Sequence, residues 1–297
     1  MYNTPPLSII HQNTYRIPLN EQNTLNDAPI GIFDSGVGGL SVAIEIARHL
    51  PNEKIIYFAD TANVPYGAKS DQEIRDLTAR AIAWLYERGC KLVVVACNSA
   101  SAFSLDYLRQ FYGERLPIIG LVPALKPAVL QSKNKVVAVL ATPATFRGKL
   151  IQNVMQNFAQ PANVQVLSIT CLDLVPYVEQ GLQMSEQCLN TLSTILKPAI
   201  EQGADYLVLG CTHYPFLRPA LEHLFAEQLN LIDSGSAVAR QTARVLLQNK
   251  LNCVQDMVHQ PHLKIFSSGQ NLQQLQQIIQ QLLPIDISWQ LEYAVST

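Results

Sequence analysis

A chain of 297 residues with 48% hydrophobic content can bury a large core, and its length favours two domains. Its net charge of −2 supplies no broad basic face for nucleic acid or anionic lipid. No apolar stretch approaches membrane-spanning length, and residues 1–28 lack the charged-then-apolar order of a signal peptide, so the cytoplasm is the expected compartment.

Residues 1–28 are polar and rich in Asn, Gln and Pro, which predicts a flexible or loosely docked N-terminal extension. From Ile30 onward, apolar runs alternate with amphipathic segments. Strands are predicted at Ile30–Phe33, Ile55–Ala59, Leu92–Ala96, Ile118–Leu121, Val136–Ala141, Val164–Ile169, Tyr206–Leu209, Leu229–Ile232 and Leu263–Phe266. Ser70 with Glu73 forms a capping box opening a helix to about Arg88, Asn271–Leu283 has the Leu/Ile spacing of a surface helix, and Ile287–Tyr293 suits an edge strand. Near-continuous Val/Ile/Leu strands separated by helices indicate parallel sheets covered on both faces. A weak internal symmetry is also present. The strand ends at Asp34-Ser35 and Ala141-Thr142 are each followed later by a strand ending in cysteine. The expectation is an α/β protein of two similar doubly wound, mainly parallel domains with the site in the cleft between them. The first would comprise 29–119 plus 234–297 and the second 120–233.

Cys90, Cys97, Cys171, Cys188, Cys211 and Cys253 are scattered through a core-forming chain, unlike a disulfide-stapled mini-domain, and read as reduced thiols. Two of them end apolar runs and precede small polar residues: Cys97-Asn98-Ser99-Ala100-Ser101 and Cys211-Thr212-His213-Tyr214. An isolated strand-end cysteine is more often packing than chemistry. A pair in matching positions could instead face one ligand from opposite sides, because ligands bind at the carboxyl ends of strands in this architecture. The stretch Asp34-Ser35-Gly36-Val37-Gly38-Gly39-Leu40-Ser41 fails the dinucleotide fingerprint, which needs glycine where Ser41 stands. Such a turn would still aim backbone N–H groups at a small carboxylate. Asp34, an acid beside an anion site, suits handling of a proton or an ammonium.

The segments Ile30-Gly31-Ile32-Phe33-Asp34-Ser35-Gly36-Val37-Gly38-Gly39-Leu40, Val64-Pro65-Tyr66-Gly67, Ala96-Cys97-Asn98-Ser99-Ala100-Ser101 and Gly210-Cys211-Thr212-His213-Tyr214-Pro215, in that order, closely resemble the glutamate racemases of the aspartate/glutamate racemase family. The likeness runs from about residue 29 to about 249. It extends to Asp233-Ser234-Gly235, Thr142 with Thr145, and Val175-Pro176-Tyr177-Val178-Glu179. Ser99 stands where the family usually has Thr, and Gly148 and Ile151 stand where many members have Ser and Tyr.

The resemblance implies two α/β domains, no cofactor, no metal, and interconversion of L- and D-glutamate for peptidoglycan synthesis. It implies that Asp34 assists Cys97, whereas Glu179 and His213 assist Cys211. Ser35, Tyr66, Gly67, Asn98, Ser99, Thr142, Thr145 and Thr212 would form the hydrogen-bonding set for the amino group and two carboxylates, with Asp34 and His213 adjoining it. Arg147 is a candidate for the cleft rim. The chemistry fits. The α-hydrogen of an amino acid is a very weak acid, and a thiolate facing a thiol can take a proton from one face and return one to the other. Three alternatives share some of these residues: a zinc enzyme using Cys97, Cys211 and His213, a racemase for another amino acid such as aspartate, and a non-catalytic binding protein. Some family members with extra N-terminal residues are activated by a muramyl-peptide nucleotide, which makes the extension a candidate regulatory element. Monomer and homodimer both remain open.

Overall fold

The computed structural model describes residues 26–253 and 262–294. The expected N-terminal extension therefore lies outside the described residues except for Asn26, Asp27 and Ala28.

In chain order the strands are β1 (Ile30–Asp34), β2 (Ile55–Ala59), β3 (Leu92–Val95), β4 (Ile118–Gly120), β5 (Val136–Leu140), β6 (Gln165–Ile169), β7 (Tyr206–Leu209), β8 (Asn230–Ile232), β9 (His262–Ser267) and β10 (Ser288–Tyr293). The α-helices are α1 (Leu40–His49), α2 (Asp71–Glu87), α3 (Asn98–Tyr112), α4 (Leu125–Gln131), α5 (Pro143–Arg147), α6 (Lys149–Val154), α7 (Leu174–Glu179), α8 (Glu186–Glu201), α9 (Arg218–Phe225), α10 (Gly235–Gln248) and α11 (Leu272–Leu282). Capping chemistry sets several helix starts. Ser70 Oγ accepts the N–H of Glu73 at 3.3 Å, as the sequence predicts, and Asn271 Oδ1 accepts that of Gln274 at 3.2 Å. The reciprocal half of the box at Ser70 is not formed, because the Glu73 carboxylate pairs with Lys69 at 2.7 Å.

Two all-parallel sheets result, ordered β10-β9-β2-β1-β3-β4 and β6-β5-β7-β8. The weak symmetry of the sequence is real in space. In each sheet the first strand of its half lies between the second and third, with the fourth outside the third, and β9 and β10 extend the first sheet. Alternate side chains of a strand enter different cores. Leu92 and Val94 pack with Ile30 and Ile32, whereas Val93 and Val95 pack with Phe33 on the other face. Both faces are thus buried, and the strand sequences read as continuous apolar runs for that reason.

Register places the chemistry. Phe33 pairs with both Phe58 and Val95, and the Ala96 N–H donates to Phe33 O at 2.7 Å, so Asp34-Ser35 and Cys97 leave the first sheet side by side. In the second sheet Leu140 pairs with Leu209 and the Gly210 N–H donates to Leu140 O at 2.8 Å, which brings Thr142 beside Cys211. The chain leaves the first sheet after Gly120, one residue beyond the expected limit, since β4 includes that glycine. It returns at α10, which packs on α1 of the first sheet. The two crossings are joined where Ser234 Oγ donates to Val122 O at 2.7 Å. No helix among the described residues is long and apolar enough to cross a membrane.

Candidate active site

Cys97 and Cys211 line one cavity together with Ser35, Pro65, Tyr66, Gly67, Asn98, Ser99, Thr142, Val175, Thr212 and His213. Each thiol follows a strand of a different sheet, so the cavity has one sulfur on each wall. That is the meeting across a cleft that the paired motifs require.

On the first wall Cys97 caps α3, its Sγ accepting the Ala100 N–H at 3.4 Å and donating to Ser35 Oγ at 3.7 Å. A helix N-terminus ordinarily favours thiolate. Burial outweighs it here: desolvation first, and then the charge of Asp34, push the Cys97 thiol well above its usual value, against smaller help from Ala100 and Ser35. Cys97 is therefore a protonated thiol at neutral pH. Asp34 stands differently from its implied role beside Cys97. Its oxygens accept the Gly36 N–H and the Thr212 hydroxyl, both at 2.9 Å, so it reaches Cys97 through its field and not by a hydrogen bond. Burial raises the Asp34 carboxyl, while His213 and the two hydrogen bonds oppose the shift.

The second wall is a relay. His213 Nδ1 lies 3.6 Å from Cys211 Sγ, and Nε2 lies 2.6 Å from Glu179 Oε1 at the end of α7. Burial disfavours charge on His213, yet the hydrogen bonds to Cys211 and Glu179 prevail and raise it well above 6.5. As an imidazolium it donates from both nitrogens, one to each partner.

The glycine-rich turn fits into this relay because it lacks side chains. A Cβ on Gly36 would meet the Glu179 carboxylate, and one on Gly38 would lie 2.5 Å from His213 Nδ1. Glu179 Oε1 also accepts the Val37 N–H at 2.8 Å. Ser41 Oγ lies 2.9 Å from the carbonyl oxygens of both Gly38 and Thr212, tying the turn to the second sheet. The turn's role is thus close approach to the Glu179 and His213 side chains, which the comparison with dinucleotide motifs could not reveal.

Of the remaining predicted residues, Tyr66, Gly67, Asn98, Ser99 and Thr142 line the cavity, and Thr145 bonds Thr142 without lining it. Ser99 Oγ lies 2.9 Å from Thr142 Oγ1, which lies 3.0 Å from Thr145 Oγ1, a hydroxyl chain crossing from one half to the other. Thr142 also caps α5 through the Thr145 N–H at 3.2 Å, so its capping and site roles coexist. Tyr66 is buried and donates to Asp60 Oδ2 at 2.6 Å, while a Cβ on Gly67 would lie 2.6 Å from Thr142 Cβ. Asn98 Oδ1 is buried with no hydrogen-bond partner among the described residues, an acceptor available to an ammonium group. Arg147, a candidate for the cleft rim, does not line the cavity; it is exposed and reaches Asp71 at 3.0 Å and Lys69 O at 3.2 Å. Gly148 is held against Ala102, since a Cβ there would lie 2.5 Å from the alanine methyl, and Ile151 is buried in the second core.

Pro65, Val175 and Tyr57 were not singled out as site residues by sequence. Pro65 and Val175 lie inside quoted motifs, but Tyr57 reads only as part of the apolar β2 run. Among the described residues no group of three or more His, Cys, Asp and Glu side chains could hold a metal ion. The donor set of the zinc alternative does not converge.

Two strand-end thiols facing each other across donors suited to a small zwitterion define a racemase-type site. The model of the Asp/Glu/hydantoin racemase family matches residues 37–242. The glutamate racemase of Deinococcus radiodurans is 56% identical over 223 residues, covering 75% of this chain and 76% of the relative, and that of Herpetosiphon aurantiacus is 45% identical over 222 residues, covering 75% and 86%. Among solved structures, a glutamate racemase isoform from Bacillus anthracis superposes with a TM-score of 0.77 at 29% identity, covering 90% of this chain and 98% of its own. Escherichia coli glutamate racemase, in complex with L-glutamate and the activator UDP-MurNAc-Ala, gives 0.75 at 32%, covering 91% and 100%. The chain belongs to the Asp/Glu/hydantoin racemase family.

Proposed function

We propose that this protein racemises glutamate by two-thiol acid–base catalysis, supplying D-glutamate for peptidoglycan synthesis. The observation that carries the reading is the placement of Cys97 and Cys211 on opposite walls of one cavity, in different electrostatic surroundings. Cys211, paired with the His213 imidazolium, takes the α-proton of L-glutamate. Cys97, held as a thiol, delivers a proton to the opposite face. In the reverse direction the roles exchange. This opposition serves racemisation, because one group takes the proton from one face of the α-carbon and the other returns one to the opposite face.

Substrate binding follows from the lining. Asn98 Oδ1 accepts from the ammonium group, and the hydroxyls of Ser35, Ser99, Thr142 and Thr212 with the Tyr66-Gly67 turn serve the two carboxylates, Thr145 holding Thr142. Developing negative charge at the α-carbon is met by fixed dipoles at the α3 N-terminus in a site that excludes bulk water. The working unit consists of two α/β domains, 29–120 plus 234–297 and 121–233, in a cytoplasmic protein that is a monomer or homodimer. Activation by a muramyl-peptide nucleotide is part of the proposal, supported by the activator that the Escherichia coli structure carries.

Circular dichroism of a panel of L- and D-amino acids, run with and without UDP-MurNAc-Ala, tests the whole reading. Loss of signal from both glutamate enantiomers, much faster than from aspartate and accelerated by the nucleotide, is expected. Racemisation of aspartate in preference to glutamate contradicts the substrate assignment, and an unchanged rate removes the activator.

A further inference from the structure

One peptide unit links the glycine-rich turn to the Cys211 wall. Its N–H end, at Val37, donates to Glu179 Oε1 at 2.8 Å; its carbonyl end, at Gly36, accepts the Tyr57 hydroxyl at 2.7 Å. We propose that Tyr57 is a positioning residue for this wall, its hydroxyl fixing the Gly36–Val37 peptide that holds Glu179 against His213, and His213 against Cys211.

The physical basis is the planarity of the peptide. The C=O and N–H of one trans unit point in opposite directions and turn together, so anchoring the carbonyl aims the N–H. Donation to the carbonyl also polarises the amide and strengthens its N–H as a donor. A continuous series results: Tyr57 O–H, the Gly36–Val37 amide, the Glu179 carboxylate, the His213 ring and Cys211 Sγ. Tyr57 is fully buried in β2, and a Cβ on Gly39 would lie 2.8 Å from its hydroxyl, so the turn is seated directly on the phenol. The titratable groups around it are Asp34 of β1, Glu179 of α7 and Cys97 before α3. Burial first, and then the charges of these groups, keep the phenol protonated and therefore a donor. Cys97 donates to Ser35 Oγ and accepts the Ala100 N–H, and it lies outside the series.

The inference rests on the racemase reading for its catalytic meaning. Its primary test needs no substrate. Iodoacetamide alkylation of Cys97 and Cys211, followed by mass spectrometry from pH 6 to 10, is compared between the wild type and Tyr57→Phe. Cys211 should react about 3- to 10-fold more slowly at neutral pH, as loss of one buried hydrogen bond predicts, with Cys97 unchanged. Difluorotyrosine at position 57, a stronger donor of nearly the same shape, should shift Cys211 in the opposite direction and covers the case in which the phenylalanine variant fails to fold. In a double-mutant cycle, the Tyr57→Phe loss in kcat/KM for glutamate should shrink toward nothing in a Glu179→Gln background. Equal changes at both thiols, no change at Cys211, or independent effects of the two substitutions would overturn the proposal. A wild type that leaves glutamate untouched but shows the Cys211-specific change would overturn the racemase reading and leave Tyr57 in place.

Discussion

The two walls of the cavity carry the same nucleophilic atom at equivalent points of two related sheets, yet they prepare it for opposite tasks. Around Cys97 lie neutral donors and the nearby Asp34, and burial with that negative field keeps the proton on sulfur. Around Cys211 lie a buried imidazolium and the carboxylate that holds it. Symmetry of fold therefore supplies opposed positions, and asymmetry of surroundings supplies an acid and a base. A reaction whose two directions are mirror images needs both.

The sharpest way to break this comparison is to remove a sulfur. Cys97→Ala and Cys211→Ala should each lower kcat for glutamate racemisation by roughly 10³-fold or more, since general acid or base catalysis is lost outright. Near-wild-type turnover in either variant would end the two-thiol account. Next in size is His213→Ala. Loss of a buried charge-assisted interaction, about 1.5–3 kcal/mol, corresponds to a fall in kcat of roughly 10- to 100-fold. Alkylation of Cys211 should slow in step while that of Cys97 holds.

A smaller effect concerns stability against pH. The folded His213 pKa lies above its unfolded value, so the folded state binds the proton more tightly. Its contribution is complete below the unfolded value near 6.5 and is lost as pH rises through the folded one. Thermal unfolding followed from pH 6 to 9 should show part of the wild-type decline missing in His213→Ala. Parallel curves for the two proteins would show that the histidine gains no proton affinity on folding.

Much of this was legible in the sequence because it is local. Strand ends, the Ser70 cap, the helix at 271–283 and the parallel apolar runs depend on neighbours in the chain, and each lies within a residue or two of its predicted place. The strand-end cysteines were legible for the same reason, and β10 occupies the edge foreseen for it. What the sequence could not display is partnership across long separations. Asp34 was expected to assist Cys97 and does stand near it, but it spends its oxygens on Gly36 and on Thr212, a residue of the other sheet. Tyr57 carries a hydroxyl that matters only because Gly36 and Gly39 bring the turn down upon it. A tyrosine within a run such as Ile55–Ala59 gives no sign of that.

The central claim is that two groups of opposite protonation state serve opposite faces of one carbon. Racemisation of L-glutamate in D₂O, stopped at early conversion with the two enantiomers separated and weighed by mass spectrometry, tests it most directly. The account predicts solvent deuterium at the α-carbon of the D-glutamate formed and almost none in the remaining L-glutamate, because Cys211 holds the abstracted proton while Cys97 delivers a deuteron. Deuterium appearing equally in both pools, or product that retains the original hydrogen, would contradict it.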